Sequence, residues 1–120
     1  MTYSRKSGDI WNGGMGVIPY DVKQECLWIV RGHSRRTKSR ARLPQDVQRI
    51  QAVEYALDQI GHDIQDYDTR RRLRNAIVLN CESGKKYPFE RLNADGFSRR
   101  DFYRRKDSFL FSVAKYMGIV

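Results

Sequence analysis

The stretch GFSRRDFYRRK, residues 96 to 106, places Arg99, Arg100, Arg104, Arg105 and Lys106 among Phe97, Phe102 and Tyr103. An arginine fork can donate two parallel bonds to guanine O6 and N7 or to a phosphate, and a tyrosine can bond a phosphate or pack on sugar. This chemistry needs a rigid support, and the same residues predict one. Ser98 is a favoured N-cap, Asp101 three residues later completes a capping box, and Phe97 and Phe102 hold the N′ and N4 positions of a hydrophobic staple. The spacing predicts a helix from Ser98 to Tyr116 or Met117, stopped by Gly118, with Phe102, Phe109, Val113 and Met117 or Tyr116 on its apolar face. Arg100, Arg104 and Asp107 then point away from the core, Tyr103 lies between, and Arg99, Arg105 and Lys106 flank, with Lys106 snorkelling at the rim of the apolar stripe. Phe111 falls on the polar side, against the first helix or facing a partner.

Just upstream, Tyr87 to Leu92 reads as a short helix with Pro88 in its first turn, and Asn93-Ala94-Asp95-Gly96 as a turn whose glycine can take positive φ. A short helix, a glycine-bearing turn and a cationic second helix form a helix-turn-helix arrangement, whose second helix enters the DNA major groove. The expected DNA-binding residues are Ser98, Arg99, Arg100, Tyr103, Arg104, Arg105 and Lys106, with Lys85, Lys86 and Arg91 beside the phosphate backbone. The competing reading is a basic amphipathic helix with no ligand, since caps and staples serve any helix.

Charge over the rest of the chain fits an anionic partner. The net charge is +9, distributed as +6 over residues 1–42, −5 over 43–69, +8 over 70–106 and zero over the remainder. Other chemistries find little support. His33 and His62 are isolated, and no metalloprotease, nucleophile-elbow or Cys/His pattern accompanies them, so the chain reads as a non-enzyme without cofactor or metal. GGMG lacks the apolar strand and the Lys-Ser/Thr of a phosphate loop. Asp66 and Asp68 could hold a metal, but beside Arg70 to Arg72 they suit helix capping better. Cys26 and Cys81 lack paired-ligand spacing and read as buried thiols. No run reaches the roughly 18 apolar residues of a membrane span, and the N-terminus lacks a secretory apolar core, so the expected location is cytoplasmic, with no membrane partner.

The positioning elements follow from periodicity. Residues 1–18, with WNGGMG, read as an arm; a first helix runs from Asp21 to about Arg36 on Val22, Cys26, Ile29 and Val30; and RGHSRRTKSRAR, residues 31–42, reads as its end merging into a basic linker. That linker is either solvated or laid along phosphates through Arg35, Arg36, Lys38 and Arg40. Leu43, Val47, Ile50, Val53, Leu57, Ile60 and Ile64 predict a long amphipathic helix with Pro44 in its first turn, its outward face carrying Asp46, Glu54, Asp58 and, past a stop at Gly61, Asp63. Its seam favours packing within the molecule over dimerisation. A further helix starts at Asp66 or Asp68 and ends near Glu82 before Gly84, with Leu73, Ala76, Ile77 and Asn80/Cys81 on one side. Arg70, Arg71, Arg72 and Arg74 crowd its first turns against the helix dipole, which requires an anion or the two aspartates as offset. The expected organisation is residues 1–42 as arm, first helix and basic linker, and residues 43–120 as a helical DNA-binding domain.

Between about Asp46 and Gly118 the motifs D-V-Q-R-I-Q-A-V-E-Y-A-L, L-R-N-A-I-x-L-N-C, Y-P-F-E-R-L, F-S-R-R-D-F-Y-R-R-K and V-A-K-Y-M-G resemble the RinA/ArpU-type phage and prophage transcriptional regulators. The resemblance implies an all-α domain ending in a helix-turn-helix like that of sigma region 4, and an activator of late or packaging genes. It maps Ser98, Arg99, Arg100, Phe102, Tyr103 and Arg104 onto the recognition helix, with Phe102 as its buried anchor. The resemblance implies a bacterial host; the expected partners are double-stranded DNA and, through the acidic helix or the aromatic N-terminal segment, host RNA polymerase, and the expected state is a monomer or dimer. The alternative is a packaging component of the small-terminase kind, which tethers viral DNA within an oligomeric ring.

Overall fold

The computed structural model describes residues 18–120; the WNGGMG segment lies outside them. Helix α1 (Tyr20–Arg31) follows Pro19, and its Asp21 and Arg31 sit at the ends that the helix dipole favours for their charges. A short α2 (His33–Lys38) continues after Gly32. The single helix expected over this stretch is therefore interrupted at Gly32, beneath which Arg36 folds back. Its Nη1 turns back to donate to the Ile29 carbonyl at 2.6 Å, and a Cβ at position 32 would meet the guanidinium carbon at 2.8 Å. A side chain at position 32 would push that guanidinium aside.

Helix α3 (Pro44–Gln59) starts as expected, with Pro44 in its first turn and the Asp46 carboxylate accepting from the Leu43 amide at 3.4 Å. It ends at Gln59 with Ile60 as its C-cap, at the stop expected at Gly61, which takes φ +75°, so Ile64 lies beyond the helix. Helix α4 (Tyr67–Glu82) is capped by Asp66, which accepts from the Thr69 amide at 2.9 Å. The arginines crowding its start are offset in two ways, and one is as expected: Arg71 pairs with Asp68 at 3.7 Å. Arg74 donates to the Ile60 and Asp58 carbonyls and Arg70 to that of Ile64, so two of these cations sit on acceptors at and just beyond the C-terminus of α3, where the dipole welcomes them. After α4 comes one 3-10 turn (Phe89–Arg91), then the loop to α5 (Arg99–Met117), which ends at Gly118 with φ +74°.

The described residues form an all-α domain. Helix α5 lies against α3 and α1, α1 also covers α4, and α2 rests on α3. Helices α3 and α5 run antiparallel: Tyr55 stacks near Tyr116 at 5.4 Å between ring centres, while Asp63, just past α3, reaches Arg105 near the start of α5. One core unites Cys26, Leu27, Ile29 and Val30 of α1, Ala52, Val53 and Ala56 of α3, Leu73, Ile77 and Cys81 of α4, and Phe102, Phe109, Leu110, Val113 and Ala114 of α5. Helix α1, which precedes the boundary expected at residue 42, is a wall of the same core. The seam of α3 is spent inside the molecule from Ile50 onward; Leu43 and Val47 at its start stay exposed. Both thiols are free and buried, and burial pushes each up to about 12.

Phe102 has no exposed surface and touches the rings of Phe89 and Tyr103, each at 5.3 Å between centres. Phe102→Ala is expected to lower unfolding free energy by about 3–5 kcal/mol in denaturant titration.

Candidate nucleic-acid interface

The start of α5 is built as its sequence requires. Ser98 Oγ accepts from the Asp101 amide at 3.0 Å, and Phe97 packs against the core beside Phe102. The Asp101 carboxylate, expected to reach back and close a capping box, runs forward along the helix instead. It accepts from Arg104 Nη2 at 2.6 Å and Arg105 Nε at 3.0 Å. Partial burial alone would raise the Asp101 carboxyl, but those two guanidiniums outweigh it and hold it below the usual carboxylate range.

Two expected DNA contacts change role. Lys106 is 8 % exposed, and its Nζ donates to Asn80 Oδ1 at 2.7 Å. It occupies the apolar stripe itself and does not reach the rim, so it cannot touch a duplex docked outside. Burial pushes its ammonium pKa down. Asn80 in turn donates from Nδ2 to the Tyr87 carbonyl at 2.8 Å, which ties the loop ahead of the 3-10 turn to α4 and α5 together. Arg105 is half-buried and is tied to two carboxylates of the protein. Its Nη1 and Nη2 form a two-pronged bond to the Asp63 carboxylate at 2.9 and 2.7 Å, its Nε holds Asp101, and its guanidinium lies 5.3 Å from the Phe97 ring centre. These bonds raise its pKa and hold Asp63 down at about 2.

The other expected residues remain at the surface. Arg100 is exposed and forms no ion pair within the described residues. Arg99 is exposed, paired with Glu90 at 2.6 Å and set over the Tyr103 ring at 5.1 Å. Arg104 is exposed beside Asp101. Tyr103 is half-buried, its ring edge-on to Phe102. Upstream, Lys85 and Lys86 stand exposed in the turn after α4, and Arg91 is exposed in the 3-10 turn. The expected short helix over Tyr87 to Leu92 is that one turn, and the connection to α5 uses positive φ at both Asn93 (51°) and Gly96 (90°).

The basic stretch 31–42 divides as well. Arg36 is 2 % exposed and is removed from the set expected to lie along phosphates, while Arg35, Lys38 and Arg40 are exposed. Residues not anticipated at the site are Asp63, Asn80 and Glu90. Asn80 and Lys106 did carry a signal, because each is a polar residue standing in an apolar helical stripe, and two such outliers on packed helices can satisfy one another. Asp63 and Glu90 carried none.

No family model matches the chain, and neither a curated protein nor a solved structure matches it.

Asp63 is depressed in the folded protein to about 2, below the roughly 4 of a free aspartate. Its contribution is therefore complete above about pH 4 and lost as pH falls through 2, and it is small because the carboxylate is largely exposed. Acid titrations of Asp63→Asn are expected to show a shallower stability loss between those limits than the parent. Asn80→Ala, which strands both Lys106 and the Tyr87 carbonyl, is expected to cost about 1–3 kcal/mol in denaturant titration.

Proposed function

We propose that this protein is a sequence-specific double-stranded-DNA-binding regulator whose helix α5 reads the major groove. The observation that carries this reading is the division of cations along one helix start. Lys106 bonds inward and Arg105 braces the helix start to Asp63 and Asp101, which leaves Arg99, Arg100 and Arg104 exposed around a capped first turn. A reading element needs that combination, since base discrimination fails when the guanidinium support is loose. The 3-10 turn, the Asn93 to Gly96 connection and α5 serve as a compressed helix-turn-helix. Lys85, Lys86 and Arg91 supply phosphate contacts alongside it, and Ser98 and Tyr103 complete the footprint.

The pairs Arg99–Glu90 and Arg104–Asp101 do not oppose this reading. Both arginines are exposed, and exposed pairs contribute between zero and about 1 kcal/mol, so exchanging a carboxylate for a phosphate or a guanine edge costs little. The resemblance to RinA/ArpU-type regulators supports activation of late or packaging genes as the biological outcome, with host RNA polymerase as second partner. The packaging alternative needs a segment committed to building a ring. The seam of α3 from Ile50 onward is occupied by the protein's own core, which favours a regulator acting as monomer or dimer.

Fragments selected from phage or bacterial genomic DNA provide the test. On a selected site, Arg100→Ala is expected to weaken binding by about 1–3 kcal/mol and to relax specificity at one position. Equal loss on random duplex would exclude base reading. Lys85→Ala with Lys86→Ala should weaken all duplexes alike and flatten the dependence of log K on log salt by about 1 for each phosphate no longer neutralised. Lys106→Met removes a buried brace and no surface cation, so it should leave the salt dependence unchanged and weaken binding to the selected site more than to random duplex.

A further inference from the structure

A cleft of about 300 Å³ opens between the end of α3 and one flank of α5, with Gln59, His62, Asp63, Arg104, Arg105 and Ser108 among its lining. Three of these side chains are uncommitted: Gln59, His62 and Ser108 have no side-chain hydrogen bond or ion pair among the described residues. The acid of the cleft is already answered, because both terminal nitrogens of Arg105 hold the Asp63 carboxylate. Gly61, which also lines the cleft, lies against α4: a Cβ there would meet Arg70 Cγ at 2.8 Å, so the arginine-rich start of α4 begins beside it.

The position of the cleft around α5 points to its ligand. The 3-10 turn lies on one flank of the helix, where Glu90 pairs with Arg99 and the Phe89 ring meets Phe102, itself edge-on to Tyr103. Arg105 and Ser108 face the other flank, toward the end of α3. Arg100, fully turned from the buried Phe102 and Phe109 stripe at 100° per residue, stands exposed between the two. A helix with its side chains is about 10–12 Å across and the major groove about 12 Å wide, so a helix seated there meets both walls. Those walls are phosphate backbones of opposite strands. Lys85, Lys86 and Arg91 serve the wall on the side of the 3-10 turn, and the cleft lies where the other wall must pass.

Resting on the reading of α5 as the helix that enters the groove, we infer that the α3–α5 cleft seats a backbone phosphate of the second strand, held by His62, Gln59 and Ser108. An imidazole N–H, a side-chain amide and a hydroxyl all donate to phosphate oxygens, and the exposed Arg104 beside them adds positive charge. Such a contact carries no base information. It fixes the register of α5 in the groove from the side that the lysines do not reach.

Fluorescence anisotropy with the selected duplex and a random one, at a single salt concentration, tests this. Gln59 and His62 are exposed, so Gln59→Ala and His62→Ala are expected to leave circular dichroism melts unchanged and to weaken both duplexes alike, each by roughly three- to tenfold. Selected duplexes with one phosphate replaced by an uncharged methylphosphonate locate the contact. One such replacement is expected to weaken the parent protein but not to weaken His62→Ala further. Lys86→Ala is expected to show the same coupling to a phosphate facing the first across the groove, on the opposite strand. The inference is overturned if a folded protein carrying both His62→Ala and Gln59→Ala binds like the parent, if no phosphate couples to His62, or if the phosphates coupled to His62 and Lys86 lie on the same strand. Each of those results leaves α5 as the reading helix. A parent protein that binds no duplex overturns the groove reading itself and this inference with it.

Discussion

The side-chain amide of Asn80 joins three parts of this molecule at a point closed to water. Its oxygen accepts the ammonium of Lys106 from α5, its NH2 group reaches the Tyr87 carbonyl of the loop, and its backbone belongs to α4. A lysine in an apolar stripe is a liability that only a well-aimed acceptor relieves, and an asparagine has one polar end for the lysine and another for the loop. The contact therefore does more than satisfy two groups. A helix packed by phenylalanines alone could turn by some degrees and bury equivalent area, whereas a buried directional bond fixes its rotation. The rotation of α5 decides which arginines face outward.

Arginine is used throughout this protein as a cross-brace between elements. Arg31 reaches the Cys81 carbonyl, Arg36 that of Ile29, Arg70 that of Ile64, and Arg74 those of Ile60 and Asp58. These carbonyls lie at helix ends or at breaks, where no amide of the next turn is present to fill them. A planar fork on a long stem satisfies such orphaned acceptors across a junction, which a shorter or softer cation would do less well. The positive charge that suggests a polyanion is thus partly architecture, and the surface cations at the start of α5 are what remains after these commitments.

Local signals proved dependable where a few adjacent residues settle the geometry. Ser98 caps α5, Asp66 caps α4, Pro44 opens α3, and Gly96 and Gly118 take positive φ, each for a reason contained within one turn of chain. The stripe Phe102, Phe109 and Val113 was equally legible, as was the burial of both thiols. Failures came where a charged residue had a distant partner. Arg105 and Lys106 looked like members of one basic cluster, but Asp63 lies 42 positions from the first and Asn80 26 from the second. Likewise the helix expected to run unbroken to about Arg36 is interrupted at Gly32, where the Arg36 guanidinium folds under the chain.

Sequence by itself determined the all-α class, the sites of most helix starts and stops, and the concentration of guanidinium groups at the head of the last helix, because propensity, capping and periodicity act within a few residues. Tertiary structure alone decided which of those cations are spent inside the molecule and which are presented. It also made α1 a wall of the core and not an appendage, left Leu43 and Val47 uncovered, and placed two guanidiniums against the Trp28 ring. The physical reason is that a charge takes its role from its nearest opposite charge or acceptor, and in a packed chain that neighbour is set by helix docking and not by distance along the sequence.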